Sequence, residues 1–405
     1  MMKSNIILFL AFLSGALSVM GQSASPVSDR SPFRVSDAVV HAGLRGTYVA
    51  PTNHLLRGDY PGGKRVSAGV APFVELSVRN APGSRYGRWY PSAYQGIGVG
   101  YQGVLPDRVT GSAALVYALQ GATIANISPR LSLDYEWNFG AAIGWRSYDH
   151  DSPDYNRDED AMGSSATAYI NLGMYFRYRL SERLGLFGGA EVTHFSNGNT
   201  SDPNPGINML GVRVGISYAL GEVNPLRRAD WSGFDPGMVY DVSCYGAWRR
   251  WTYNPFVGSD ADEGKLMLVP GKFAVAGLSI NPMYRVNPVF SAGMAFDAQY
   301  DEGANLSGRY VTSTPFEDPK FYRTSFRDRL SLGVSARMEL RMSLFAINIG
   351  LGHSVYAPGG RDLRGWYNTF SLKTFLTERV FLLTGYRLYR FNEPGNLMLG
   401  CGYRF

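Results

Sequence analysis

Only two cysteines, Cys244 and Cys401, and five histidines occur in 405 residues. Two thiols cannot supply a disulfide framework or a four-ligand zinc site, and CxxC and paired-His motifs are absent, so no structural metal is expected. Charge is scarce as well, at 18% of the chain. The 39 Lys and Arg behind the net charge of +6 form no basic tail or stripe, which argues against nucleic acid as a partner. Beyond the first residues there is no apolar stretch of roughly 18 residues, and that excludes a transmembrane helix.

What is plentiful points to strands. The 48 glycines and the aromatic share of 14% suit β structure better than helix, and 45% apolar residues are too many for a disordered chain. At the start, Lys3 precedes an apolar stretch from Ile6 to Val19 and small residues up to Gly21. This pattern reads as a secretory signal peptide over residues 1–21, with a mature chain from near Gln22 and an N-terminal linker over 22–35. If the mature chain meets a membrane, it does so with strands.

Two-residue alternation supports that reading. From Leu131 to Trp145 the odd positions are apolar, while Ser132, Asp134, Glu136 and Asn138 hold even ones. Ala168, Ile170, Leu172, Met174, Phe176 and Tyr178 alternate in the same way with Thr167, Asn171, Gly173 and Arg177, and Leu330 to Leu340 alternates with Arg329 to Arg341. A soluble sandwich also alternates, but its strands run to about 5 or 6 residues. These segments are at or beyond the roughly 9 to 11 that a tilted membrane strand needs. The expected fold is therefore all-β, a transmembrane antiparallel β-barrel of the bacterial outer membrane, with lipid on the apolar face and the lumen on the polar face.

Candidate strands run from 38–50 to 207–221 and, after a linker at Gly221 to Asp230, from 237–252 to 395–405. Some would be bent halves or loop ribbons, so an even count of roughly 12 to 16 is expected in one barrel over 36–405, residues 223–405 adding strands to it. Short turns such as Leu180 to Arg183 should be periplasmic, and the longer loops 148–163 and 198–206 should face outward.

One segment carries chemistry, the run from Glu191 to Asn208. Parity puts His194 and Ser196 on the lipid face of their strand, with Leu186 and Val192, and Asn208 on the lipid face of the next, with Leu210 and Val212. A nucleophile, a base and an orienter thus share the outer wall at the outward end of a hairpin, within reach of a lipid. Taken alone, Ser-Asn-Gly is ordinary turn chemistry. Other candidates are weaker. Glu191 should face the lumen, and Asp202 is a second-choice orienter. His353 and Ser354 should point to opposite faces. The acidic loop holding Asp149, Asp151, Asp154, Asp158, Glu159 and Asp160 lacks ordered calcium-ligand spacing. Cys244 and Cys401, far apart in sequence, are expected as free thiols.

His194-x-Ser196-Asn197-Gly198, followed by Pro203-Asn204-x-Gly206, resembles the signature of the lipid A 3-O-deacylase (PagL-like) or acyloxyacyl hydrolase family of outer-membrane barrels. Gly163-Ser164 leading into Tyr169 to Gly173 also looks like that family, and the resemblance covers residues 36–222. It implies a serine esterase with Ser196 as nucleophile, His194 as general base, and Asn204 with a backbone N–H near Gly198 as oxyanion donors, needing no cofactor. It also implies lipid A or lipopolysaccharide as substrate and insertion by the barrel assembly machinery. The strand ending in Tyr403 and Phe405 resembles the C-terminal strand of such barrels.

The best-known pattern of the family has Glu where this chain has Asn208, fourteen residues after His194. Asn at that spacing is similar to outer-membrane phospholipase A, a barrel that uses calcium and acts as a homodimer. A phospholipase is therefore one alternative. A non-enzymatic pore or adhesin is another, left open by the lumen charges Asp134, Glu136, Arg177 and Arg213.

Overall fold

The computed structural model describes residues 35–59, 63–106, 110–148, 161–221, 223–253, 267–269, 271–306 and 321–405. The expected signal peptide, all but the last residue of the linker 22–35, and the acidic loop from Asp149 to Asp160 lie outside these residues. Among the described residues no helix is long and apolar enough to cross a membrane, and the long elements are strands.

The first eight strands are β1 (Val35–Val49), β2 (Ala68–Asn80), β3 (Ala93–Leu105), β4 (Gly111–Asn126), β5 (Leu131–Trp145), β6 (Ala166–Arg179), β7 (Leu184–Ser196) and β8 (Ile207–Ala219). Each pairs antiparallel with the next, and β8 returns to β1 in a register from Val39↔Ala219 to Val49↔Met209. The sheet is a closed barrel. In the second half, β9 (Gly237–Arg249) is followed by a two-stranded ribbon of β10 (Thr252–Tyr253) and β11 (Met267–Leu268). The strands β12 (Phe273–Arg285), β13 (Phe290–Asp301), β14 (Leu330–Met342), β15 (Phe345–Tyr356), β16 (Trp366–Phe375), β17 (Val380–Tyr389) and β18 (Glu393–Arg404) then complete a second closed barrel, β18 pairing with β9.

The single barrel expected over 36–405 is thus corrected. Among the described residues the sixteen long strands close two sheets of eight, and the strands from β9 (Gly237–Arg249) onward build a barrel of their own. Alternation fixes which face a residue takes but not which strand closes on which. Closure here depends on the pairing of β8 with β1, whose residues are far apart in sequence. The linker recognised in the sequence belongs with the first barrel: Asn224 Nδ2 donates to Asp37 Oδ1 at 2.6 Å, and the Asp230 N–H donates to the Arg88 carbonyl at 2.9 Å.

Eight strands leave an interior only wide enough for side chains. In the first barrel Arg213 pairs with Glu136 at 2.6 Å and with Glu75, Arg45 pairs with Glu191 at 3.1 Å and Glu75 at 3.3 Å, and Arg177 pairs with Asp134 at 2.8 Å. Both Arg45 and Arg213 stack on Phe73. The charges that left a pore open are therefore paired with one another inside the barrel. In the second barrel Lys373 bridges Asp241 and Glu339 at 2.6 Å each, and Arg337 holds Asp297 at 2.8 Å. The outer walls are apolar and exposed, with Leu172, Met174, Phe176, Val192, Leu210 and Val212 on the first barrel and Leu278, Ile280, Phe296, Met338 and Leu340 on the second.

Candidate active site on the outer wall of the first barrel

The β7–β8 hairpin builds the site. In its ladder His194 and Asn208 are direct partners, and both are outward-facing positions between inward-facing neighbours: Thr193 and Phe195 on one strand, Ile207 and Met209 on the other. Ser196 lies two residues beyond His194 on the same face, about 7 Å along the strand. The wall immediately below is lipid-facing, since Val192 and Leu210 are more than half exposed. The outer-face placement expected for His194, Ser196 and Asn208 is what the structure has.

Asn208 Oδ1 lies 2.7 Å from His194 Nδ1. A carbonyl oxygen only accepts, so Nδ1 carries a proton, and in the neutral ring Nε2 keeps its lone pair. That tautomer can take a proton from a hydroxyl. Asp202, the second-choice orienter, lies on the loop between β7 and β8, outside the ladder that pairs His194 with Asn208.

Asn204 is fixed by two bonds. Its Oδ1 accepts from the backbone N–H of Asn197 at 2.9 Å and from the Ser196 hydroxyl at 3.2 Å. A backbone N–H only donates, so the amide is held with Oδ1 toward Asn197 and Nδ2 on its other side. Gly198 follows with φ +67°, the left-handed conformation that begins the turn.

The loop bringing Asn204 back is pinned by Gly163 N–H to the Pro203 carbonyl at 2.6 Å and Gly206 N–H to the Ala161 carbonyl at 3.1 Å. Gly206 has φ +72°, and a Cβ there would run into the Phe195 carbonyl and stand 3.2 Å from His194 Cε1. Only glycine fits both conditions. On the inner side Phe195 packs against Tyr169 and Trp145, ring centroids 5.5 and 5.2 Å away, and gives the backbone between His194 and Ser196 a rigid base.

The remaining candidates separate from this cluster. Glu191 faces the lumen, bound by Arg45 and by the Tyr175 hydroxyl at 2.7 Å. His353 packs edge-on against Trp366 on the outer face of β15, while the Ser354 hydroxyl donates inward to the Leu363 carbonyl at 2.7 Å. Among the described residues no group of three or more His, Cys, Asp or Glu could hold a metal ion. The two free cysteines, remote in sequence, turn out to be direct partners across the β9–β18 seam, a register that composition and spacing do not reveal.

A barrel whose lipid-facing wall carries a serine, a histidine with a proton on Nδ1 and an asparagine accepting the hydrogen bond from it has the layout of a membrane-embedded ester hydrolase. Comparison with known proteins narrows the class. The family model described as lipid A 3-O-deacylase (PagL) matches residues 73–217, and the model described as acyloxyacyl hydrolase, C-terminal domain, matches residues 239–405. Together they span most of the chain, which belongs to the PagL family of lipid A deacylases, carboxylic ester hydrolases of the outer membrane. The second match covers the barrel in which the sequence offered no catalytic motif.

No curated protein matches. Solved structures similar to this chain include the siderophore receptor PirA of Acinetobacter baumannii, at 10% identity and TM-score 0.21 over 81% of this chain and 51% of that one. This chain thus spans about half of the receptor's length. The toluene transporter TbuX of Ralstonia pickettii is 8% identical at TM-score 0.17 over 92% of this chain and 90% of that one. The fold assignment rests on the two hydrogen-bonded sheets themselves.

Proposed function

We propose that the protein removes an ester-linked acyl chain from lipid A in the outer leaflet, with Ser196 as nucleophile and His194 as general base. The observation that carries this reading is the 2.7 Å bond between His194 Nδ1 and Asn208, because it leaves Nε2 basic on the face shared with Ser196. In the attack the Ser196 hydroxyl turns from Asn204 to His194 Nε2, gives up its proton there, and bonds to the ester carbonyl carbon. The developing oxyanion is met by Asn204 Nδ2 and a backbone N–H near Gly198. As the C–O bond breaks, the proton on His194 passes to the leaving sugar oxygen. Water, deprotonated by the same imidazole, then frees the fatty acid from Ser196.

The wall supports the substrate class. Across β7 from His194 and Ser196 lie Ile170 and Ala168 of β6, apolar and outward-facing, so an acyl chain can run down the barrel while its ester stays at the rim. Export through a cleaved signal peptide over 1–21 and insertion by the barrel assembly machinery belong to the same reading. The terminal pair Tyr403 and Phe405, rings 4.7 Å apart at the end of the last strand, supports the latter.

The test is incubation of the purified protein with lipopolysaccharide. Mass spectrometry should find lipid A one acyl chain lighter and a free 3-hydroxy fatty acid. Asn208, an amide where the deacylase pattern has a carboxylate, favours a second reading, a calcium-dependent dimeric phospholipase. Fatty acid released only from glycerophospholipids would select it.

A further inference from the structure

A cation sits on the outer wall one strand away from Asn208. The Ala50 N–H donates to the Asn208 carbonyl at 2.9 Å, and two residues earlier Tyr48 pairs with Leu210, so the end of β1 lies directly beside the β8 part of the site. Tyr48 is 48% exposed on the outer face. Arg65, from the segment leading into β2, reaches over it: its guanidinium carbon is 5.5 Å from the Tyr48 ring centroid, and Nη2 donates to the Tyr48 hydroxyl. Lys64 precedes it and is exposed too. Nearby Arg57 is already paired with Asp59 at 2.9 Å, whereas among the described residues no carboxylate pairs with Arg65 or Lys64.

The opposite flank of the site is different. There Ala168 and Ile170 of β6 offer no charge. Among the described residues the site is therefore asymmetric, with an apolar wall on the β6 side and, on the β1 side, a cation that no carboxylate pairs. From β7 to β1 is two strand spacings, about 10 Å. That separation is comparable to the width of a sugar headgroup.

We propose that Arg65, braced by Tyr48, binds a phosphate carried on the headgroup of the lipid whose acyl ester is presented to Ser196. The inference rests on the lipid A reading of the site and adds an anion subsite to it. Stacking on Tyr48 uses the face of the guanidinium, and the hydroxyl uses one N–H. Further in-plane N–H groups remain for a phosphate, which guanidinium recognises in a forked geometry that an ammonium cannot reproduce. The subsite fixes the direction in which the substrate lies: phosphate over β1, acyl chain over β6.

The test separates binding from catalysis by using Ser196→Ala full-length protein in detergent micelles. Its affinity is measured for phosphorylated lipid A and for the same lipid after enzymatic removal of its phosphates. The phosphorylated lipid should bind about fivefold tighter, a difference typical of an exposed ion pair, and Arg65→Ala in this background should erase the difference. Arg65→Glu should reverse it, and Arg65→Lys should restore part of it. Equal affinities for the two lipids, or a difference that survives Arg65→Ala, would overturn the proposal. Tightening of the dephosphorylated lipid by added inorganic phosphate would also overturn it, because the ligand would then be free phosphate. Failure of the wild-type protein to release any acyl chain would count against the proposed function and leave this binding result standing.

Discussion

Asn208 and His194 are direct partners in the β7–β8 ladder, and the Asn208 amide oxygen sits 2.7 Å from His194 Nδ1. The bond orients the imidazole without lending it negative charge. An amide can select the tautomer but cannot offset the positive charge that develops on the ring when it takes the serine proton.

Asn208→Ala should therefore lower kcat on a soluble ester by about a hundredfold and leave measurable turnover, since nucleophile, base and oxyanion donors remain. Ser196→Ala and His194→Ala should each cost more, on the order of 10⁴ or beyond. Asn208→Glu should retain activity, because a carboxylate accepts the same hydrogen bond and adds the missing charge. A near-wild-type Asn208→Ala enzyme would remove Asn208 from the orienting role.

Asn204 offers a sharper contrast. Asn204→Ala should reduce kcat by about 10² to 10³ with little change in KM, the loss expected for one oxyanion donor. Asn204→Asp should be worse, although it keeps an oxygen for the Asn197 N–H, because it puts a carboxylate oxygen where the donor was. Equal activity of Asn204→Asp and wild type would contradict the donor role.

The outer-wall site is legible in the sequence because strand parity is local. Reading every second residue from Leu184 to Ser196 and from Ile207 to Ala219 is enough to place His194, Ser196 and Asn208 on one face. Partner choice is not local. Nothing in the alternation of β8 says that it pairs with β1 and not with the next strand, so the division into two barrels is not readable there, nor is the pairing of Cys244 with Cys401. Asp134, Glu136, Arg177 and Arg213 are assigned to the lumen by parity, but Glu75 and Arg45, which complete their network, come from strands that only closure brings near.

That network makes a stability prediction. Arg213→Ala leaves Glu75 and Glu136 in the lumen without their main cation and should destabilise the first barrel by about 3 to 5 kcal/mol. Urea unfolding in lipid vesicles measures the change. Combining Arg213→Met with Glu75→Gln and Glu136→Gln should recover much of the loss, because no unpaired charge then remains.

Gly206 separates folding from chemistry. Gly206→Ala must strain a backbone at φ +72° and displace either the Phe195 carbonyl or the His194 ring. Activity should drop by about tenfold or more while the strained residue costs only about 1 to 3 kcal/mol, so the protein still folds as a barrel by circular dichroism. Unchanged activity would mean that this loop does not set the position of His194.

The central claim is that Ser196, on the lipid-facing wall, is the acyl acceptor. The protein can be incubated with an alkyl fluorophosphonate, which reacts with activated serines, and its peptides then examined by mass spectrometry. A single adduct on Ser196, lost in His194→Ala and in Ser196→Ala, is the predicted result. An adduct on another residue, or labelling of Ser196 that persists without His194, would contradict it.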